Sequence, residues 1–163
     1  MSEFNLISYS PQETEELGSQ LGLLLQPGSF LALRGELGGG KTCFTRGVVS
    51  SVAPESAHMV ASPTFAIMNI YQAAVPVYHF DFYRLTGDDD IAELGFEEYF
   101  YGKGVCVVEW SERLNELIPG DHLTLKFDYQ DDLQRTISIN ANGPLSKNIL
   151  QQLIDRRSGQ NNL

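Results

Sequence analysis

Residues 35 to 42 read Gly-Glu-Leu-Gly-Gly-Gly-Lys-Thr, filling the pattern Gly-x4-Gly-Lys-Thr with Gly35, Gly40, Lys41 and Thr42. That spacing suits a chain of phosphates. Glycines let backbone N–H groups converge on phosphate oxygens with no Cβ in the way. A helix opening directly after the loop turns unpaired N–H groups and the positive end of its dipole on the same anion. The Lys41 ammonium can reach β- and γ-phosphates, and the Thr42 hydroxyl can ligate magnesium. The expected phosphate-contacting stretch is Leu37, Gly38, Gly39, Gly40, Lys41, Thr42 and Cys43, holding a nucleoside triphosphate with Mg2+. The competing reading is a glycine turn that happens to precede Lys-Thr. With average residue usage the bare pattern arises in under about 1% of chains of this length, so that reading is the weaker.

A triphosphate site of this kind needs an acid near its magnesium, at the end of a buried strand. Glu109 follows the apolar run Val105-Cys106-Val107-Val108 and is the first candidate; a solvated acid at a strand end is the alternative. Asp81 lies in His79-Phe80-Asp81-Phe82-Tyr83-Arg84. Strand alternation sets His79, Asp81 and Tyr83 on one face and the phenylalanines on the other. Such a face either lines a site, with Asp81 binding magnesium through water or orienting an attacking water, or belongs to an ordinary half-exposed strand. Thr64, in Ser62-Pro63-Thr64, is either a hydroxyl that senses a γ-phosphate or part of a plain turn. Trp110 and Tyr83 either stack on a base or a partner, or fill the core. His58, His79 and His122 lack metal-like spacing and are not read as ligands.

The elements around these residues can be read from periodicity. Phe4–Ser8 suits a short strand. Ser10-Pro11-Gln12-Glu13 opens a helix with a cap, a first-turn proline and a Ser-x-x-Glu box, and Leu17, Leu21, Leu24 and Leu25 follow at helical spacing. Phe30–Leu33 suits a buried strand, and Lys41–Val52 a helix stopped by Pro54, so the glycine loop has the strand and helix it requires. Further strands are expected over Phe65–Tyr71, Val75–Tyr83, Val105–Val108, Leu123–Phe127 and Thr136–Ile139. Short helices are expected around Gly95 between Ile91 and Tyr101, and a last helix over Leu145–Ile154. The whole reads as one α/β domain over residues 1–157, with a polar, frayed tail from 158 to 163.

Bulk composition narrows the partners. The chain has 163 residues and a formal charge of −10, and its 11 basic residues are scattered except for Arg156-Arg157. A broad nucleic-acid face would carry a basic patch, so extensive direct binding is disfavoured. Cys43 and Cys106 show no metal spacing and make no disulfide framework. With no signal peptide and no membrane-length apolar run, the expected location is cytoplasmic.

Several elements in order resemble the TsaE (YjeE) family, small bacterial P-loop ATPases needed to make threonylcarbamoyladenosine in tRNA. They are Thr14 and Gly18, the Gly35–Thr42 loop, Arg46-Gly47, Ser62-Pro63-Thr64-Phe65, Tyr78-His79-Phe80-Asp81-Phe82-Tyr83-Arg84-Leu85, Glu93-Leu94-Gly95 and Glu109-Trp110. The resemblance implies a P-loop NTPase-like three-layer α/β sandwich with a mixed parallel/antiparallel central sheet. It implies ATP and Mg2+ as ligands, with Lys41, Asp81 and Thr64 as catalytic residues. Thr42 and Glu109 would be the magnesium ligands, Asp81 an acid needed for hydrolysis, Thr64 the switch residue and Trp110 a neighbour of the nucleotide. It implies TsaD-like and TsaB-like partners, with tRNA met mainly through them, and nucleotide turnover that resets the complex. Cys43 replaces a common threonine and Gly39 a common alanine. Towards the C-terminus the match fades, and Arg135 is named as a nucleotide contact with no motif behind it.

Two other functions are open to the same loop. A nucleotide-dependent assembly module would use ATP to order the Thr64 loop, hydrolysis being incidental. A small-molecule kinase would carry lid arginines, whereas this chain has Asp88-Asp89-Asp90 after Arg84.

Overall fold

The computed structural model describes residues 2–36 and 40–160. In chain order its elements are β1 (Glu3–Ser8), α1 (Pro11–Gly22), β2 (Phe30–Gly35), α2 (Lys41–Val52), β3 (Met68–Tyr71), β4 (Val77–Asp81), α3 (Asp88–Glu93), α4 (Glu97–Phe100), β5 (Val105–Glu109), β6 (His122–Tyr129), β7 (Arg135–Asn142) and α5 (Pro144–Gln160), with short 3-10 turns after α2 and β5. Continuous apolar runs belong in strands covered on both faces. Accordingly β2 and β5 lie inside a seven-stranded sheet of order β1-β7-β6-β2-β5-β4-β3. Strands β6, β2, β5 and β4 run parallel. The β6–β7, β7–β1 and β3–β4 pairs are antiparallel, so the sheet is mixed as expected.

Helices cover both faces. On one, Leu17 and Leu21 of α1, Phe44 and Val48 of α2 and Ile149 and Leu153 of α5 bury against Leu31, Leu33, Val105, Val107 and Leu125. On the other, Ile91 of α3 and Phe100 of α4 meet Phe30, Phe80, Phe82 and Val108. No helix among the described residues is long and apolar enough to cross a membrane.

Several boundaries differ from the periodic reading. β3 begins at Met68 instead of Phe65, because Ile67 takes φ 68°, a left-handed conformation that a β-branched residue adopts only under strain. β4 ends at Asp81, so Tyr83 falls outside the strand and is partly exposed. α5 runs to Gln160, six residues past Ile154, so the last helix takes in residues 158–160.

Asp121 holds the start of α5: its two carboxylate oxygens accept from the N–H groups of Leu145 and Ser146, each at 2.9 Å. Burial alone would raise its carboxyl pKa, but the bonds from Ser146 and Leu145, with His122 nearby, hold it below the usual carboxylate value. A depressed pKa stabilises the fold above the unfolded value and loses that contribution as pH falls through the folded one. Asp121→Ala should therefore cost about 1 kcal/mol at neutral pH. Urea denaturation at neutral pH and again below the carboxylate range should show the gap between variant and wild type closing on acidification.

Candidate functional site

Three strand ends build the site. β2 ends at Gly35, β5 at Glu109 and β4 at Asp81; Glu109 is in register with Leu33 on one side and Asp81 on the other. Alternation sends His79, Asp81 and Glu109 to the face covered by α1 and α2. All three are buried. Ligands of open α/β sheets bind at this carboxyl edge.

α2 starts there without a side-chain cap and without an acid in its first turn. An uncapped helix start offers backbone N–H groups and a positive dipole end to an anion. Gly40 precedes it at φ 100°, in the left-handed region that favours glycine. A cavity of about 320 Å3 opens at this point, and Gly40, Lys41, Thr42, Cys43, Thr64, Glu109 and Arg135 all line it. Leu37, Gly38 and Gly39 lie outside the described residues.

Lys41 is only 4% exposed. Its Nζ donates to the Gly35 carbonyl at 2.7 Å and lies 4.6 Å from the centroid of the Trp110 ring. Burial lowers its pKa, with Glu109, Glu112 and Asp81 offsetting part of the shift. Trp110 itself takes a left-handed φ of 57° and meets the Tyr83 ring at 4.9 Å. It does not line the Lys41–Thr42 cavity; with Arg34, Gly35, Glu36 and Tyr129 it lines another of about 540 Å3. Arg135 stacks over Tyr129, 4.5 Å from its centroid, and donates to the Asp131 carbonyl at 2.7 Å.

Asp81 does not line the cavity; it backs the loop that does. Its Oδ2 accepts from Ser62 Oγ at 2.7 Å and Thr64 Oγ1 at 3.4 Å, and its Oδ1 accepts from the Tyr83 N–H at 2.9 Å. The strained Ile67 closes the loop, donating to the Pro63 carbonyl and accepting from Asp81 N–H at 2.8 Å. Asp81 thus anchors the Thr64 loop to the end of β4. Ser62 is the stronger of its two hydroxyl donors, and only its presence in Ser-Pro-Thr hinted at this.

Glu109 Oε2 meets His79 Nε2 at 2.6 Å, and His79 Nδ1 meets the Tyr71 hydroxyl at 3.1 Å. Sequence reasoning found His79 on the face of Asp81 but gave it no partner. Among the residues lining the cavity, Glu109 and Thr42 can offer oxygen ligands, and no group of three or more His, Cys, Asp or Glu among the described residues could cage a metal. That set fits magnesium, which keeps waters and substrate phosphates and takes few protein ligands.

Fold and site together define an α/β protein with an anion-ready crevice at the carboxyl edge of its parallel strands. The family model described as threonylcarbamoyl adenosine biosynthesis protein TsaE matches residues 8–137, and the chain belongs to that family. A tRNA threonylcarbamoyladenosine biosynthesis protein TsaE of Bacillus subtilis is 34% identical over 154 residues, covering 94% of this chain and 95% of that one. Its counterpart in Treponema pallidum is 36% identical over 133 residues, covering 82% and 97%. The crystal structure of Bacillus subtilis YdiB superposes with a TM-score of 0.79 at 29% identity, over 95% of this chain and 96% of that one.

Proposed function

We propose that this protein binds Mg-ATP in the Lys41–Thr42 cavity and hydrolyses it slowly, driving turnover of the complex that forms N6-threonylcarbamoyladenosine in tRNA. The observation that carries the reading is the uncapped start of α2, where Lys41 and Thr42 open into the same cavity as Glu109. Membership of the TsaE family supports the tRNA role. TsaD-like and TsaB-like proteins are the proposed partners, in the cytoplasm, and the charge of −10 suits a subunit that meets tRNA through them.

On this reading Lys41 leaves the Gly35 carbonyl and pairs with the phosphates, and the N–H groups at the start of α2 complete their cradle. Thr42 and Glu109 would hold magnesium, which supplies charge neutralisation as the γ-phosphoryl is released. Asp81 keeps Ser62 and Thr64 at the cavity wall, where a hydroxyl can position the attacking water.

A second reading has its own support. Asp81 is occupied by loop donors, which suits a module whose loop is ordered by ATP and presented to a partner, with incidental hydrolysis. Asp81→Asn separates the two, since the amide still accepts from Tyr83 N–H. It should bind Mg-ATP with wild-type affinity, release phosphate about 100-fold more slowly because the Ser62–Thr64 loop is no longer held by a carboxylate, and fail to sustain repeated tRNA modification with purified partners. Repeated rounds by this variant would favour the assembly reading. Release of a phosphorylated metabolite instead of free phosphate would identify a kinase.

A further inference from the structure

His79 is fully buried in the middle of β4, opposite Asn69 of β3 and Val107 of β5. Val77 on its own strand and Val105 and Val107 on the next surround it on that face, with Asp81 and Glu109 following only at the carboxyl edge. An imidazole placed among valines costs stability unless both ring nitrogens are partnered. Both are. Nε2 meets Glu109 Oε2 at 2.6 Å and Nδ1 meets the Tyr71 hydroxyl at 3.1 Å.

The chemistry of the carboxylate fixes the direction of the bond to Glu109. An ionised carboxylate only accepts, so Nε2 carries the hydrogen and donates to Glu109. Nδ1 pairs with the Tyr71 hydroxyl, which can donate to a bare Nδ1 or accept from an Nδ1–H. The result is a connected chain of Tyr71, His79 and Glu109 that begins in the core and ends on a carboxylate at the cavity wall. Tyr71 cannot drift, because it is 3% exposed and closes the β3–β4 pair opposite Val77.

We infer that His79, seated by Tyr71, is a positioning residue for Glu109: it fixes one carboxylate oxygen and thereby the orientation in which the group meets a phosphate-bound divalent cation. This rests on the reading above, in which Glu109 is a magnesium ligand. The imidazole restricts rotation of the carboxylate, and outer partners of this kind are commonly worth ten- to hundredfold in metal affinity. A purely structural histidine, holding β3 to β4, would affect stability alone.

The test is calorimetric titration of ATP into the full chain, with magnesium and with EDTA, for the wild type, His79→Phe, His79→Gln and Tyr71→Phe, with a melting curve for each. Magnesium should tighten ATP binding by the wild type. His79→Phe should lose about ten- to hundredfold of that gain while binding ATP in EDTA as the wild type does. His79→Gln can return an N–H towards the Nε2 position and should recover most of the gain. Tyr71→Phe leaves the His79–Glu109 bond and should lose only about two- to tenfold. If folded His79→Phe keeps the full magnesium gain, the proposal is overturned, whatever its melting temperature does. If His79→Phe does not fold, Tyr71→Phe decides, and an undiminished gain there overturns the proposal equally. A wild type with no magnesium gain removes the magnesium reading itself, which is a different result from variants that match a responsive wild type.

Discussion

Lys41→Met should lose at least about 100-fold in ATP affinity while leaving the ligand-free fold no less stable. The affinity loss follows from charge-assisted bonds to phosphate, each worth about 1.5–3 kcal/mol, where tenfold in affinity is about 1.4 kcal/mol. The stability half follows from where Lys41 is kept. The residue is 4% exposed, and its ammonium has one carbonyl at 2.7 Å and an indole face as its close company. Burial lowers its pKa below 10.5, despite Glu109, Glu112 and Asp81 pulling the other way. A lowered lysine pKa means the folded chain holds the proton less firmly than the unfolded chain does. That penalty is full while both states are charged, fades as pH rises through the folded-state pKa, and is gone above 10.5. At neutral pH methionine removes it and keeps the apolar stem, at the loss of the bond to Gly35. Titration calorimetry and a melting curve on the same sample measure both halves. Unchanged ATP affinity would remove Lys41 from the site, and a large drop in melting temperature would show the Gly35 bond outweighing the buried charge.

The same residue illustrates what could be read in advance. The bounds of α2 came out as expected, Lys41 to Val52, because a glycine loop and Pro54 punctuate both ends. Four apolar residues before Glu109 sufficed to mark a strand buried on both faces. The Ser10 cap formed with Glu13 N–H, but the Glu13 carboxylate reached back to Tyr9 N–H, one residue beyond the expected box. Strand-end positions were less legible. β6 and β7 extend to His122–Tyr129 and Arg135–Asn142 because hairpin pairing carries their polar ends along, from His122↔Asn142 to Tyr129↔Arg135.

What a one-dimensional pattern does not encode is which strands become neighbours. Alternation puts His79 and Asp81 on one face of β4, yet only the parallel pairing of β4 with β5 brings that face to Glu109. Likewise Tyr71 reaches His79 because β3 folds back on β4. Ile67 accounts for the shortened β3: a residue suited to strands is bent left-handed by bonds to Pro63 and Asp81. The cost of that bend falls in the loop carrying Ser62 and Thr64, where strain commonly marks function.

The second large effect is predicted far from any charge. Gly47→Ala in the middle of α2 should lower the melting temperature by about 4–8 °C or more, although alanine is the better helix former. Propensity favours the substitution by about 1 kcal/mol. Against it stands the approach of α1: a Cβ on Gly47 would lie 1.9 Å from the Glu15 carbonyl oxygen and 2.8 Å from Ser19 N. Gly18 of α1 shows the reciprocal contact, its Cβ falling 2.1 Å from the Phe44 carbonyl oxygen. These obstacles are backbone, so no rotamer change relieves them and the helices must separate. Overpacking of this severity costs about 3 kcal/mol or more, and in a chain of this size each kcal/mol moves the melting temperature by about 2–4 °C. The clash therefore outweighs the propensity gain. Because α2 carries Lys41 and Thr42 at its start, its displacement should also weaken ATP binding, by more than the stability loss alone explains at temperatures where the variant is folded. Melting curves and titration of the folded variant check the two effects separately. An unchanged melting temperature would mean that α1 can move aside freely, and that its glycines do not set the distance from α1 to the helix that begins at Lys41.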